Sequence, residues 1–194
     1  MSGIKLLDDK FVMPPGFDLS IIESLPIHKH FYGMLLEEAP TDIYWTEYQP
    51  TYSGTGTISF ARKLYLEYPE VAEHVCNYLK NLFPRIPFDV QRVNLLKTKG
   101  SIQPHLDESN RMTSINIGIK NSSIAKTRVS SVKDEAEFKD NAVEIVCQDN
   151  CAYLLDTSSY HEVISTDDTV SRYLFTYGFG VSFDIILREF KFKV

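Results

Sequence analysis

Cysteine is scarce in this chain: three residues in 194. An odd, small set argues against a disulfide framework. Cys147 and Cys151 bracket Gln148-Asp149-Asn150 in a predicted strand-turn-strand, with no neighbouring histidine to complete a zinc site, and Cys76 falls in a predicted helix. All three read as structural thiols. No apolar run approaches the length of a membrane span, and Met1-Ser2-Gly3-Ile4-Lys5-Leu6-Leu7-Asp8-Asp9 puts acids where a secretory leader needs an unbroken apolar core. A membrane role is thereby disfavoured, and the expected compartment is the cytoplasm. Basic residues are outnumbered, 20 against 26 acids for a net charge of −6, and no run of lysine and arginine offers a grip on a phosphate backbone. Nucleic acid is therefore an unlikely partner by composition. Internal repeats and low-complexity tracts are absent as well.

What is present is ordinary for a globular protein: 43% hydrophobic and 24% charged residues, enough for one domain over residues 1–194 with a sizeable core. Two regions differ in character. Residues 1–88 read as an N-terminal support region, irregular up to about Phe60, with a short helix over Asp18–Leu25 stopped by Pro26 and an extended piece over Ile43–Tyr48. The loop Thr51–Thr57 carries Gly54 and Gly56 and reads as a surface connection or a lid over a substrate. The clearest helix is Pro69 to Leu82. Its proline loses no hydrogen bond in the first turn, Val71, Ala72, Val75, Cys76, Tyr78, Leu79 and Leu82 recur at helical spacing, and Pro84 closes the far end. His74 falls on the opposite, polar face and is expected to be solvated rather than a ligand.

Residues 89–194 form the β-rich core. Val90–Thr98, Arg111–Ile119, Thr127–Val132, Val143–Cys147, Ala152–Leu155, His161–Ser165 and Val170–Phe179 are rich in β-branched and aromatic residues with turn formers between them. The charged stretch Glu135–Asn141 is expected to be an exposed loop. About seven or eight short strands after a helical lead-in predict a mainly β fold with N-terminal helices, a double-sheet jelly roll or cupin-like barrel with helices packed outside.

Chemistry concentrates at two places. His105 and Asp107 stand two positions apart at the end of a strand pattern, and residues two apart in an extended segment point to one face. His161 ends a second apolar run and can supply a third ligand. Two histidines and one carboxylate are the ligand set of non-haem Fe(II) oxygenases and leave positions open on the metal. His28 and His30 form another His-x-His pair, but no carboxylate accompanies them, so they read as a decoy. Arg172 lies inside the apolar strand Val170-Ser171-Arg172-Tyr173-Leu174-Phe175. Its burial is costly unless it meets an anion; pairing with an internal acid, or an outward-pointing side chain, is the alternative. Trp45, Tyr52 and Tyr160 either line a substrate side or pack in the core.

The run Arg92 to Asp107, followed by Arg111 to Ile119, by Leu155-Asp156 leading to His161-Glu162-Val163, and by Arg172, resembles the 2-oxoglutarate and Fe(II)-dependent oxygenases. Within them it is most similar to the aspartyl/asparaginyl β-hydroxylase group, which includes bacterial free-proline hydroxylases. The resemblance spans roughly the second half of the chain. It implies a double-stranded β-helix in which His105, Asp107 and His161 bind Fe(II) and Arg172 holds the distal carboxylate of 2-oxoglutarate. It places Asn94 as a small polar residue assisting that arginine, with Asn116 and Ser114 as further co-substrate contacts. Asn116 departs from the pattern, because relatives carry a histidine there. Asp107 departs from the peptide-modifying members, which lack this acid.

The implied reaction consumes O2, releases succinate and CO2, and hydroxylates an amino acid, free or within a peptide or protein. Two other readings stay open on the sequence. One is a catalytically silent jelly-roll binding or structural module that scatters the four residues, and the other is a barrel that uses Mn or Zn for isomerase or lyase chemistry.

Overall fold

The computed structural model describes residues 3–20, 58–63, 65, 68–107, 111–130, 132 and 137–190, with the backbone alone at 8, 58–63, 103 and 139. The expected elements at 21–57, including Ile43–Tyr48, His28, His30, Trp45, Tyr52 and the Gly54–Gly56 loop, lie outside the described residues.

Two antiparallel sheets carry the chain. The strands are β1 (Ile4–Lys10), β2 (Ile58–Lys63), β3 (Val93–Lys99), β4 (Ile102–His105), β5 (Thr113–Lys120), β6 (Ala125–Val129), β7 (Val143–Val146), β8 (Cys151–Asp156), β9 (His161–Ser165) and β10 (Ser171–Phe179). The helices are α1 (Pro69–Leu82), α2 (Phe138–Asn141) and α3 (Phe183–Glu189). The larger sheet runs β1-β8-β5-β10-β3-β2 and the smaller β4-β9-β6-β7. From β3 to β10 the chain passes back and forth between them: β3, β5, β8 and β10 stand in the larger sheet, β4, β6, β7 and β9 in the smaller. The expectation of a mainly β protein is met. Among the described residues no helix is long and apolar enough to cross a membrane.

Side-chain alternation assigns the faces. Val93 and Leu95 of β3, Ile115 and Ile117 of β5, Ala152 and Leu154 of β8, and Phe175, Tyr177 and Phe179 of β10 join one core with Val71, Val75 and Leu79 of α1 and Phe183 and Ile186 of α3. The intervening residues must therefore turn to the other face. There Tyr153 and Leu155 pack with Val129 of β6, and the Tyr153 hydroxyl lies 3.3 Å from Thr127 Oγ1. Asn94, Thr98, Ser114, Asn116, Arg172 and Thr176 share this inward face. The space between the sheets is thus unusually polar for a protein interior, where apolar side chains predominate.

The helix over Pro69–Leu82 forms over the expected span, with Pro69 in its first turn and its apolar stripe buried except for the half-buried Tyr78, whose hydroxyl donates to the Asp9 carbonyl. Several expectations are corrected. Val90–Arg92 is a 3-10 turn rather than the start of a strand, because the Asp89 carboxylate accepts the Gln91 N–H at 2.9 Å and holds the turn. Ile4–Lys10, within the stretch read as irregular, is an edge strand on β8, its register interrupted between Leu7 and Lys10. His74 is not free in solvent: its Nε2–H donates to the Val12 carbonyl at 2.7 Å and its ring meets Phe11 edge-on.

The expected loop Glu135–Asn141 contains α2, and Phe138 within it is fully buried with the Arg128 guanidinium 5.7 Å from its ring centre. One apolar anchor, not the charges around it, decides how this segment sits. Phe138→Ala is expected to cost about 3–5 kcal/mol of stability by removing a large buried ring. Urea unfolding at constant m checks this, and a loss under about 1 kcal/mol would return the segment to the status of a loop.

Candidate metal centre

Strand pairing brings the ligand candidates together. β4 lies beside β9, and His105 stands directly opposite His161. Beyond β4, the Asp107 N–H donates to the Thr157 carbonyl at 3.1 Å, tying this residue to the turn between β8 and β9. That turn is itself fixed. Asp156 Oδ1 accepts from the Ser158 N–H (3.1 Å) and hydroxyl (2.6 Å), and Oδ2 accepts from the Ser159 hydroxyl at 2.8 Å. Short side chains that bond their own backbone are the usual means of holding such a turn.

The result is a tight cluster. His105, Asp107 and His161 each offer a ligand atom, and these atoms all lie within 4.8 Å of one another. His105 Nε2 is 3.5 Å and His161 Nε2 3.7 Å from Asp107 Oδ1, and the two imidazole centres are 4.2 Å apart. His161 Nδ1 lies 3.0 Å from the Ser159 carbonyl, which can only accept, so Nδ1 carries the proton and the Nε2 lone pair faces the cluster. Two imidazoles and a carboxylate with one imidazole fixed in the ligating tautomer suit a divalent ion with open positions.

Burial and neighbours set the charges. Burial, then the nearby His105, push the His161 pKa down to about 4, so this imidazole is neutral at ordinary pH, as metal binding requires. Burial pushes the Asp107 carboxyl up, but the His105 contact, the Arg111 guanidinium and the two imidazoles outweigh it and hold it below its ordinary value.

A stability consequence follows for the metal-free protein. Unfolded histidine titrates near 6.5 and folded His161 near 4, so between these values the unfolded chain binds more protons. Stability is therefore expected to fall as pH drops from about 6.5 to 4, by up to about 3 kcal/mol from this residue. Urea midpoints in EDTA across that window check it: His161→Leu should flatten the wild-type slope, and equal slopes would contradict the burial argument.

Arg111 borders the cluster. Its Nε lies 3.3 Å from Asp107 Oδ2, and its Nη2–H donates to Thr176 Oγ1 at 2.8 Å. Arg172, 4% exposed, is not in the cluster; it sits further along β10 on the same inward face. Its Nε–H donates to Thr98 Oγ1 at 3.2 Å, and no carboxylate pairs with it among the described residues. It does not point outward, and no acid among the described residues pairs with it. Burial draws its pKa below the ordinary arginine value, against smaller opposing effects of Tyr153 and Cys147. Tyr153 is fully buried, which pushes its phenol up and keeps it neutral.

The remaining candidates are placed as follows. Asn116 Nδ2 donates to Ser114 Oγ at 3.2 Å, both buried, with Asn116 opposite Tyr153 on one side and Thr176 on the other. Asn94 stands opposite Thr176 and donates to the Arg92 carbonyl at 3.1 Å, while the hydroxyl touching Arg172 belongs to Thr98, opposite it in the strand pair. Tyr160 is half-buried and its carbonyl accepts the Ser130 N–H at 3.0 Å. Thr98, Tyr153 and Arg111 have no functional role in the sequence reading. Only the alternation that carries Asn94 inward could have drawn attention to Thr98, two strand repeats further on.

No family model matches the chain, and no curated protein matches it. Solved structures with some likeness include an oxidoreductase of the 2OG-Fe(II) oxygenase family from Burkholderia pseudomallei, 11% identical over 62% of this chain and 67% of that one, TM-score 0.41. A prolyl 4-hydroxylase from Phytophthora capsici is 14% identical over 61% of this chain and 48% of its own, TM-score 0.39. Vicilin from hazelnut, Corylus avellana, is 9% identical over 69% of this chain and 32% of its own, TM-score 0.35. Likenesses this distant decide neither family nor activity, so the functional reading has to come from the site.

Proposed function

We propose that this protein is a non-haem Fe(II)- and 2-oxoglutarate-dependent oxygenase built on a double-stranded β-helix. In this reading it hydroxylates an amino acid, free or within a peptide or protein, in the cytosol, and resembles most the aspartyl/asparaginyl β-hydroxylase group. The observation that carries the proposal is a pairing: a two-histidine, one-carboxylate cluster and a buried arginine with no carboxylate partner among the described residues open on the same polar space between the sheets.

His105, Asp107 and His161 would hold the iron, all from one side, leaving the other side to ligands. When bound, iron and 2-oxoglutarate supply the oxidising chemistry, with O2 consumed and succinate and CO2 released. The protein's own part is positional. Ser159 fixes the His161 tautomer, and Asp107 neutralises part of the metal charge. Arg172 offers a fork of donors matching a carboxylate, with Thr98 holding its Nε and leaving the terminal nitrogens for the co-substrate. Asn116, Ser114 and Asn94 line the same face as further co-substrate contacts. A silent binding module has no such use for Arg172, whose burial would then be an uncompensated cost.

Anaerobic addition of Fe(II) and 2-oxoglutarate tests this. A weak visible charge-transfer band that needs both additions and is absent in His161→Ala is the expected result. No band, together with no metal retained, would overturn the proposal. Succinate release over candidate substrates then identifies the target.

A further inference from the structure

Among the described residues Arg111 is a second guanidinium in the inter-sheet space, and beyond its ion-pair contact with Asp107 the oxygenase reading gives it no task. Its backbone is fixed where its carbonyl accepts the Thr157 hydroxyl at 2.6 Å. Its side chain lies over Gly178: a Cβ on that residue would stand 3.0 Å from Arg111 Cγ and 3.2 Å from Cδ and Nε. Gly178 belongs to the inward row of β10, two positions from Thr176, which accepts from Arg111 Nη2. The absent side chain at 178 is thus the berth that lets Arg111 lie along the sheet toward the metal ligands.

Its donors are largely unspent. Nε is buried without a hydrogen bond, because Asp107 Oδ2 at 3.3 Å is at ion-pair distance but not aligned to accept. Of five guanidinium donors one makes a hydrogen bond within the described residues. The side chain is 38% exposed, so its outer end is reachable. Charge points the same way. With both histidines neutral, Fe(II), Asp107, Arg172 and Arg111 together would carry three positive charges, and the two carboxylates of 2-oxoglutarate would leave one unmatched. A partly enclosed site favours a ligand that cancels that charge.

We propose, resting on the oxygenase reading, that Arg111 is the residue that recognises the substrate, and that it does so through a carboxylate carried near the carbon to be hydroxylated. The guanidinium fork holds that carboxylate while Thr176 and Gly178 keep the fork in place. Either the main-chain carboxylate of a free amino acid or the side-chain carboxylate of an aspartate or glutamate in a chain supplies the same chemistry.

The test is calorimetry on anaerobic protein loaded with Fe(II) and 2-oxoglutarate. The probes are the free L-amino acids, their main-chain carboxamides, and N-acetylated aspartate and glutamate amides. At least one carboxylate probe is expected to bind wild type about 30- to 100-fold more tightly than its uncharged counterpart. Arg111→Gln should reduce that ratio to about threefold or less with the iron–co-substrate band intact, and Arg111→Lys should fall between. The free acids and the capped side-chain acids separate the two sources. Equal binding of acid and amide, no carboxylate probe binding, or loss of the band in Arg111→Gln overturns the proposal, the last by giving Arg111 to the co-substrate. A wild type without the band sinks the oxygenase reading itself, and this proposal with it.

Discussion

Asp107→Ala is expected to abolish metal retention while leaving the metal-free fold in place. The residue's structural tie is its backbone N–H to Thr157, which alanine keeps. Its side chain, by contrast, is the only anion in the cluster among the described residues, set near two imidazoles at 3.5 and 3.7 Å. Removing it leaves two neutral donors to face a dication. The loss in affinity should exceed the roughly 100-fold that follows from disturbing an outer partner of a metal ligand. Thermal unfolding with and without Mn(II) separates the effects. Wild type should be raised by the metal according to its affinity and concentration, whereas Asp107→Ala should unfold at the same temperature either way. If the variant instead unfolds much earlier without metal, the carboxylate is a structural partner of Arg111 and not a ligand.

The parts of this site that could be read from the sequence are those determined locally. His105 and Asp107 are two apart at a strand end, a spacing short enough for both to reach one ion even though the strand itself stops at His105. Arg172 betrayed itself as a charge in an apolar strand, and the Pro69–Leu82 helix by its spacing and prolines. What stayed hidden depends on pairing between distant segments. Thr98 touches Arg172 because β3 and β10 pair in one register, and a shift by one residue would turn a different side chain inward. Arg111 acquires its place from Gly178, far later in the chain, and read locally it was the first residue of a strand that in fact begins at Thr113.

Edges were hidden for a related reason. Ile4–Lys10 joins adjacent apolar residues, Leu6-Leu7, to adjacent acids, Asp8-Asp9, and its register breaks after Leu7, so no alternation survives to be recognised. β4 is four residues long and contains Pro104, a residue that usually argues against a strand. The shortness serves the site, since β4 ends at His105 and the chain is then free to turn Asp107 toward the same point.

Arg172→Met should make the metal-free protein more stable and deprive it of 2-oxoglutarate. The folded chain holds this guanidinium at 4% exposure with one hydroxyl partner and no carboxylate among the described residues, which opposes folding whenever the cavity holds no anion. Methionine approximates the length of the stem and removes the charge. Replacing buried ionic groups by apolar ones of similar volume commonly gains about 1–4 kcal/mol. Thr98 loses a donor in exchange, at a cost of roughly 1 kcal/mol, so a net gain of up to about 3 kcal/mol is expected. Co-substrate affinity should move the other way by about 100-fold or more, since the distal carboxylate loses its buried charged partner. Urea unfolding in EDTA reads the first effect, and titration of the charge-transfer band with 2-oxoglutarate at saturating Fe(II) reads the second. Stability gained together with affinity lost is the signature of a residue kept for its ligand. A variant less stable by more than about 1 kcal/mol, with the band titrating as in wild type, would instead make Arg172 a packing residue and leave the distal carboxylate without a host.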